Sequence, residues 1–130
     1  MSTGFAQVLG QNRPKEIMRK ALDQNRVAHA YLFYGPDGVG KEALAIECAK
    51  ALLCSAQDAR PCQNCSACRR AAGINHPDFV FIFPMPKNAS IENEREILDT
   101  VARNAYARSK PWASPVISIE RIRELRRINR

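Results

Sequence analysis

A chain of 130 residues, 45% apolar and 25% charged, is about one domain's worth and has the composition of an ordinary globular protein. It holds no apolar run near the roughly 20 residues needed to cross a bilayer and no signal-peptide core at its start, so a cytoplasmic protein with no membrane association is expected. The net charge of +7 suits nucleic acid or an acidic partner without requiring either, and five cysteines in a reducing compartment point to metal or core packing before disulfides.

The chain opens on an apolar arm from Phe5 to Gln11 with a glycine turn at Gly10. Asn12 is placed to cap a helix with Pro14 in its first turn and Ile17, Met18, Ala21 and Leu22 on one apolar stripe. Residues 30–34 (Ala-Tyr-Leu-Phe-Tyr) carry no charge and predict a buried strand, with His29 before it as a hydrogen-bonded structural residue. Gly35-Pro36-Asp37-Gly38-Val39-Gly40-Lys41-Glu42 follows, and then an alanine-rich, mostly buried helix over 43–53 in which only Glu47 and Lys50 are charged. Strand, glycine turn, lysine and helix make the context of a phosphate-binding loop. Its backbone N–H groups and helix N-terminus favour phosphate, and Lys41 is the residue that reaches the outer phosphates. The pattern G-x-x-x-x-G-K is met, but the Ser or Thr whose hydroxyl ligates Mg²⁺ is replaced by Glu42. A carboxylate there repels the phosphates it faces, so a nucleotide-binding loop and an empty one are both compatible with these residues, and ATP with Mg²⁺ is a doubtful cofactor.

Cys54, Cys62, Cys65 and Cys68 follow in C-x₇-C-x₂-C-x₂-C spacing. Two overlapping C-x-x-C turns and one cysteine from the preceding helix supply four thiolates to a tetrahedral ion, and structural Zn²⁺ is the usual choice. Arg60, Arg69 and Arg70 would offset part of the charge. A disulfide or free thiols are alternatives, and an iron–sulfur cluster is the main rival, but the ferredoxin run wants a Cys-Pro soon after Cys68, where Arg69 and Arg70 stand. Cys48, mid-helix, is read as a core residue.

Asn75-His76-Pro77-Asp78 predicts a turn and 79–83 an apolar strand, with His76 superfluous as a ligand beside four cysteines. The 91–108 stretch predicts an amphipathic helix with Ile97, Leu98, Val101 and Ala105 on one face, acids crowding its start and bases its end. Ser118 can cap a last helix over 119–130, with Ile119, Ile122 and Leu125 inward and arginines elsewhere.

Phe5…Leu9-Gly10-Gln11, then His29-Ala30-Tyr31-Leu32-Phe33, then Gly35-Pro36-x-Gly38-Val39-Gly40-Lys41 together resemble the start of the bacterial DNA polymerase III clamp-loader AAA+ subunits. The likeness covers about the first 83 residues and resumes after 115. It implies an α/β fold: the N-terminal part of a three-layer αβα P-loop domain with a parallel sheet, spanning 1–130. A Cys₄ zinc module is inserted at 54–72 and a helical insertion at 87–113, while the lid and collar domains lie outside this chain. The resemblance implies that the arm lies against an adenine site, that other loader subunits (a hetero-pentamer), the sliding clamp and primer–template DNA are partners, and that helix 119–130 faces the duplex. On it, Arg123 and Arg127 are candidate contacts to the DNA backbone, a solvated face being the ordinary reading of such arginines. Glu42 inclines the reading to the delta-prime kind, whose P-loops often decay, helping to load the clamp without hydrolysing ATP itself. The gamma/tau kind, an active ATPase motor, is the runner-up, and a stand-alone zinc-dependent nucleic-acid-binding module is a third reading. The chain ends at Arg130 before any strand closing on Asp-Glu, so the N-terminal piece of a longer protein is expected.

Overall fold

The computed structural model describes residues 4–107 and 116–128. Among these residues five helices follow one another: α1 (Asn12–Asp23), α2 (Lys41–Leu53), α3 (Ser66–Ala72), α4 (Ile91–Arg103) and α5 (Ile119–Ile128). The sequence readings at Arg108, at the end of the 87–113 insertion, at Pro115 and at Arg130 lie outside the described residues.

The centre of the molecule is α2, a helix apolar on nearly every side and therefore enclosed on nearly every side. One face carries Ala43, Leu44, Cys48 and Ala51 into a cluster with Phe5 and Val8 of the arm and Met18 and Leu22 of α1. Another face places Ile46 against Ile97 and Val101 of α4, with Phe79, Phe81 and Phe83 packed around them. Ser90 caps α4 through a capping box with Asn93, each side chain accepting from the other residue's backbone N–H. Asn104 ends the helix at Arg103, short of the expected Arg108, by leaving helical dihedrals (φ −152°, ψ 104°) while its side chain accepts from the Tyr106 N–H at 3.0 Å.

The expected sheet does not form among the described residues. Residues 30–34 and 79–83 make no ladder hydrogen bonds, and the one bridge pairs Met85 with Val116 in antiparallel register. Both segments keep the alternation of a strand: the Tyr31 and Phe33 rings stack at 6.4 Å and the Phe81 and Phe83 rings lie 5.6 Å apart, as i and i+2 side chains on one side of an extended chain do. A parallel strand, however, is stabilised only by neighbours beside it, and the described residues place none there. The expectation that 30–34 is buried is corrected by the same fact, since Leu32 is 85% and Tyr34 88% exposed.

Helix ends differ in smaller ways. Gln11, in left-handed conformation with no capping side-chain bond, precedes α1, so Asn12 is its first residue instead of its cap. Of the expected stripe, Met18 and Leu22 are buried but Ile17 is exposed. Ser118 does accept from the Arg121 N–H, at 3.5 Å. The inward set of α5 is not inward, because Ile119 and Ile122 are both exposed. α5 is held instead by an Arg121–Glu94 ion pair to α4 and by the Met85–Val116 bridge just before it.

Candidate phosphate loop and cysteine site

Residues 35–42 turn from the unpaired 30–34 segment directly into α2. Gly40 takes φ +103°, a conformation that side chains resist, and is the residue from which the helix starts. Lys41 then folds back over the loop, its Nζ donating to the carbonyl oxygens of Gly35 at 2.5 Å and Pro36 at 3.3 Å. The eight residues singled out from the sequence are therefore gathered in one turn. Two cavities flank it. One, of about 470 Å³, runs along Gln11, Pro14, Ile17, Tyr31 and Tyr34. The other, of about 290 Å³, lies between Asp37, Gly38, Gly40, Lys41 and Glu42 on one side and residues 105–107 on the other. Two carboxylates and one internally bonded ammonium line this second space, a weaker field for phosphate than a free lysine would give.

The four cysteines of the C-x₇-C-x₂-C-x₂-C run converge, with all four Sγ atoms within 4.8 Å of one another. A ZnS₄ tetrahedron with 2.3 Å bonds has edges of about 3.8 Å. The Cys54–Cys65 Sγ separation of 4.0 Å is close to that. Local structure makes the sulfurs good acceptors. Cys54 Sγ accepts from the N–H groups of Ala56 and Cys62, Cys62 Sγ from Cys65 N–H, and Cys65 Sγ from Cys68 N–H, each at 3.4 Å; the last also caps α3. Backbone N–H groups, first that of Ser55 and then that of Cys68, hold the Cys65 thiol down to about 5. The Cys62 thiol is lowered by the N–H groups of Asn64 and Cys65, whereas burial pushes Cys68 up to about 12. This donor set can hold a metal ion.

Cys48 stands apart as expected, buried in the arm–α1–α2 cluster with its thiol pushed up to about 12 by burial. His76 is also outside the cysteine cluster; its Nδ1 accepts from Asp78 N–H at 3.1 Å and so braces the turn. Of the three arginines expected near the sulfurs, Arg69 and Arg70 are exposed, and Arg60 donates to Leu22 O at the end of α1, 3.2 Å away. Arg123 and Arg127 lie exposed on α5.

Two features escaped the sequence reading. Glu47 and Lys50, the only charges in the middle of α2, are 2% and 4% exposed and paired at 2.6 Å. Gln63, between Cys62 and Cys65, donates to Glu47 Oε2 at 2.7 Å and to Gly4 O at 3.1 Å, tying the cysteine loop to α2 and to the arm. The second feature is Tyr106, which stands over Gly40. A lone aromatic between alanines near the end of the stretch read as an amphipathic helix was the only sequence signal for it.

The family model described as "DNA polymerase III, delta subunit" matches residues 10–128. The chain is 36% identical to DNA polymerase III subunit delta' of Bacillus subtilis over 74 residues, which cover 57% of this chain and 22% of that protein. It is 40% identical to DNA polymerase III subunit delta' of Pseudomonas aeruginosa over 81 residues, 60% of this chain and 25% of that protein. A third relative, DNA polymerase III subunit tau/gamma of Haemophilus influenzae, is 38% identical over 98 residues, 75% of this chain and 14% of that protein. The matched stretch thus spans a quarter or less of each of these relatives. No solved structure gives a significant match.

Proposed function

From the premise that this chain belongs to the DNA polymerase III delta-subunit family, we propose that it is the N-terminal part of a clamp-loader subunit of the delta-prime kind. The observation that carries the reading is the family match across 10–128. The subunit works in a hetero-pentamer that opens the sliding clamp and places it on primer–template DNA, and residues 1–130 are the beginning of its P-loop AAA+ domain. The sheet of that domain is completed by strands beside 30–34 and 79–83, which explains why apolar side chains such as Leu32 stand exposed. Residues 54–72 are its zinc module and 87–113 a helical insertion.

In this reading Cys54, Cys62, Cys65 and Cys68 hold one Zn²⁺, whose role is to cross-link the loop between α2 and α3. The phosphate loop offers the 470 Å³ cleft to a base and residues 35–42 to phosphates, but with Glu42 lining the phosphate side the site is weak and hydrolysis is left to neighbouring subunits. A carboxylate about 4 Å from a phosphate oxygen costs on the order of 4 kcal/mol at an effective dielectric of 20, and less where it is open to water as Glu42 is. In a titration of the full-length protein with a fluorescent ATP analogue and Mg²⁺, Glu42→Thr should tighten binding about tenfold. Low-micromolar binding by the unmodified protein would instead favour the gamma/tau reading, to which the longer alignment with the tau/gamma relative also lends weight.

The exposed arginines of α5 fit contact with a duplex backbone in the assembled loader. Charge reversal at Arg123 and Arg127 should weaken loader binding to primed DNA more at low salt than at high, flattening the log–log salt dependence by about 1 for each phosphate no longer neutralised. Equal affinity at every ionic strength would leave them as a solvated face.

A further inference from the structure

Tyr106 touches two segments that the sequence holds far apart. Its hydroxyl accepts the Leu9 N–H of the arm at 2.8 Å. Its ring lies so close over Gly40 that a Cβ there would meet Oη at 2.8 Å and the ring carbons at 3.1 and 3.2 Å. Ring and neighbouring Ala105 also rest on the arm–α1–α2 cluster. The turn at 104–107 is itself fixed, by the Asn104 side chain on Tyr106 N–H and by Ala107 N–H on Asn104 O at 2.9 Å. Residues 105–107 form the far wall of the 290 Å³ cavity in which Lys41 is bonded to the loop's own carbonyls.

We propose that the turn after α4 is a strap, with Tyr106 as its buckle, that locks the arm and the phosphate loop together in a closed conformation and restricts the entry of polyphosphate anions. The physical reason is that the ring packs directly on Gly40 while its hydroxyl holds the Leu9 N–H, so a rearrangement of the loop at Gly40 gives up or repacks a contact that also ties down the arm. Entry of an anion also requires Lys41 to leave the Gly35 and Pro36 carbonyls, a rearrangement of the same turn that the ring rests on. The inference rests on reading residues 35–42 as a phosphate site, and Tyr106 is in it a positioning residue that acts through Gly40 and Leu9.

The test uses full-length protein with ¹³C-labelled glycine and inorganic pyrophosphate as the probe. In the parent protein the Gly40 Hα resonances should carry a ring-current shift from Tyr106. Tyr106→Phe keeps the ring and removes only the hydroxyl. If the strap is a lock, this change should both speed hydrogen exchange at the Leu9 amide and shrink the ring-current shift at Gly40. The apparent pyrophosphate affinity should rise with it, by about tenfold for Tyr106→Ala, as expected when the competent state grows from a tenth of the population to most of it. Adding Lys41→Met to Tyr106→Ala should abolish the gain. Faster exchange at Leu9 with an unchanged Gly40 shift and unchanged affinity in both variants overturns the strap. Loss of both signatures without pyrophosphate binding in any variant leaves the lock standing and overturns the phosphate-site reading. A gain that survives Lys41→Met overturns the claim that the strap controls this loop.

Discussion

Cys65→Ser in the full-length protein is expected to drop bound zinc from one equivalent to below about a tenth, because a structural ion of this type is held with an apparent free energy near 10–16 kcal/mol only by a complete set of thiolates. The change removes two things at once, a ligand and the Sγ that caps α3. The loosening should not stop at the module. Gln63 sits between two of the cysteines and donates to both Glu47 on α2 and Gly4 in the arm, and Cys68 Sγ lies 3.9 Å from Lys50 O. Loss of metal therefore reaches the helix that begins with Lys41. Metal analysis and limited proteolysis of freshly reduced protein check both halves. A variant that keeps its zinc, or a parent that holds less than half an equivalent, sinks the assignment.

Thiol chemistry gives the same prediction a second readout. With metal removed at neutral pH, alkylation should be fastest at Cys65, whose thiol is held near 5 by the Ser55 and Cys68 N–H groups, and absent at Cys48, buried and pushed up to about 12. The sign is that of a depressed acid: the preference for thiolate holds above this value and fades as pH falls through it. Bound zinc displaces the thiol protons, so acidification that returns them to the four sulfurs should release the metal.

Much of this site was legible in the sequence. The spacing of four cysteines is itself a geometric statement, since two C-x-x-C turns can only bring their sulfurs to one side, and the structure gathers them with Cys54 from the end of α2. The glycine loop was legible for a similar reason: Gly40 at φ +103° beside Lys41 is a local arrangement that adjacent residues specify. What could not be read depends on partners far along the chain. Residues 30–34 have the composition of a buried strand, but whether Leu32 is covered is decided by neighbouring strands, and none lies beside it among the described residues. Tyr106 meets Leu9 across 97 positions, and no periodicity records such a meeting. Ile119 and Ile122 read as an inward face by spacing, but α5 is attached by an ion pair and a bridge instead of by a core. Glu47 and Lys50 were the most deceptive, because two charges one turn apart on an otherwise apolar helix are usually its wet stripe.

Burial of that pair leads to the second large effect. Lys50→Met should destabilise the metal-loaded protein by about 3–5 kcal/mol, the usual result of leaving one buried charge without its opposite. Glu47 would keep only the Gln63 amide, a neutral donor, at a position 2% open to water. Glu47→Leu alone should cost a similar amount by stranding the Lys50 ammonium. The double variant should be more stable than either single one, because two well-sized apolar groups carry no desolvation cost, and its remaining deficit is the Gln63 donor left with Gly4 O as its one partner. In a double-mutant cycle of urea unfolding followed by helix signal, the coupling should exceed about 2 kcal/mol, above what exposed pairs give. The Glu16–Lys20 pair on α1, two-thirds exposed on both sides at 2.9 Å, supplies the internal comparison and should couple by less than about 0.5 kcal/mol. Two pairs of equal coupling would mean that water reaches α2 beneath the cysteine loop. The loop's hold on Glu47 through Gln63 would then be too weak to carry the loss of metal into the helix that starts at Lys41.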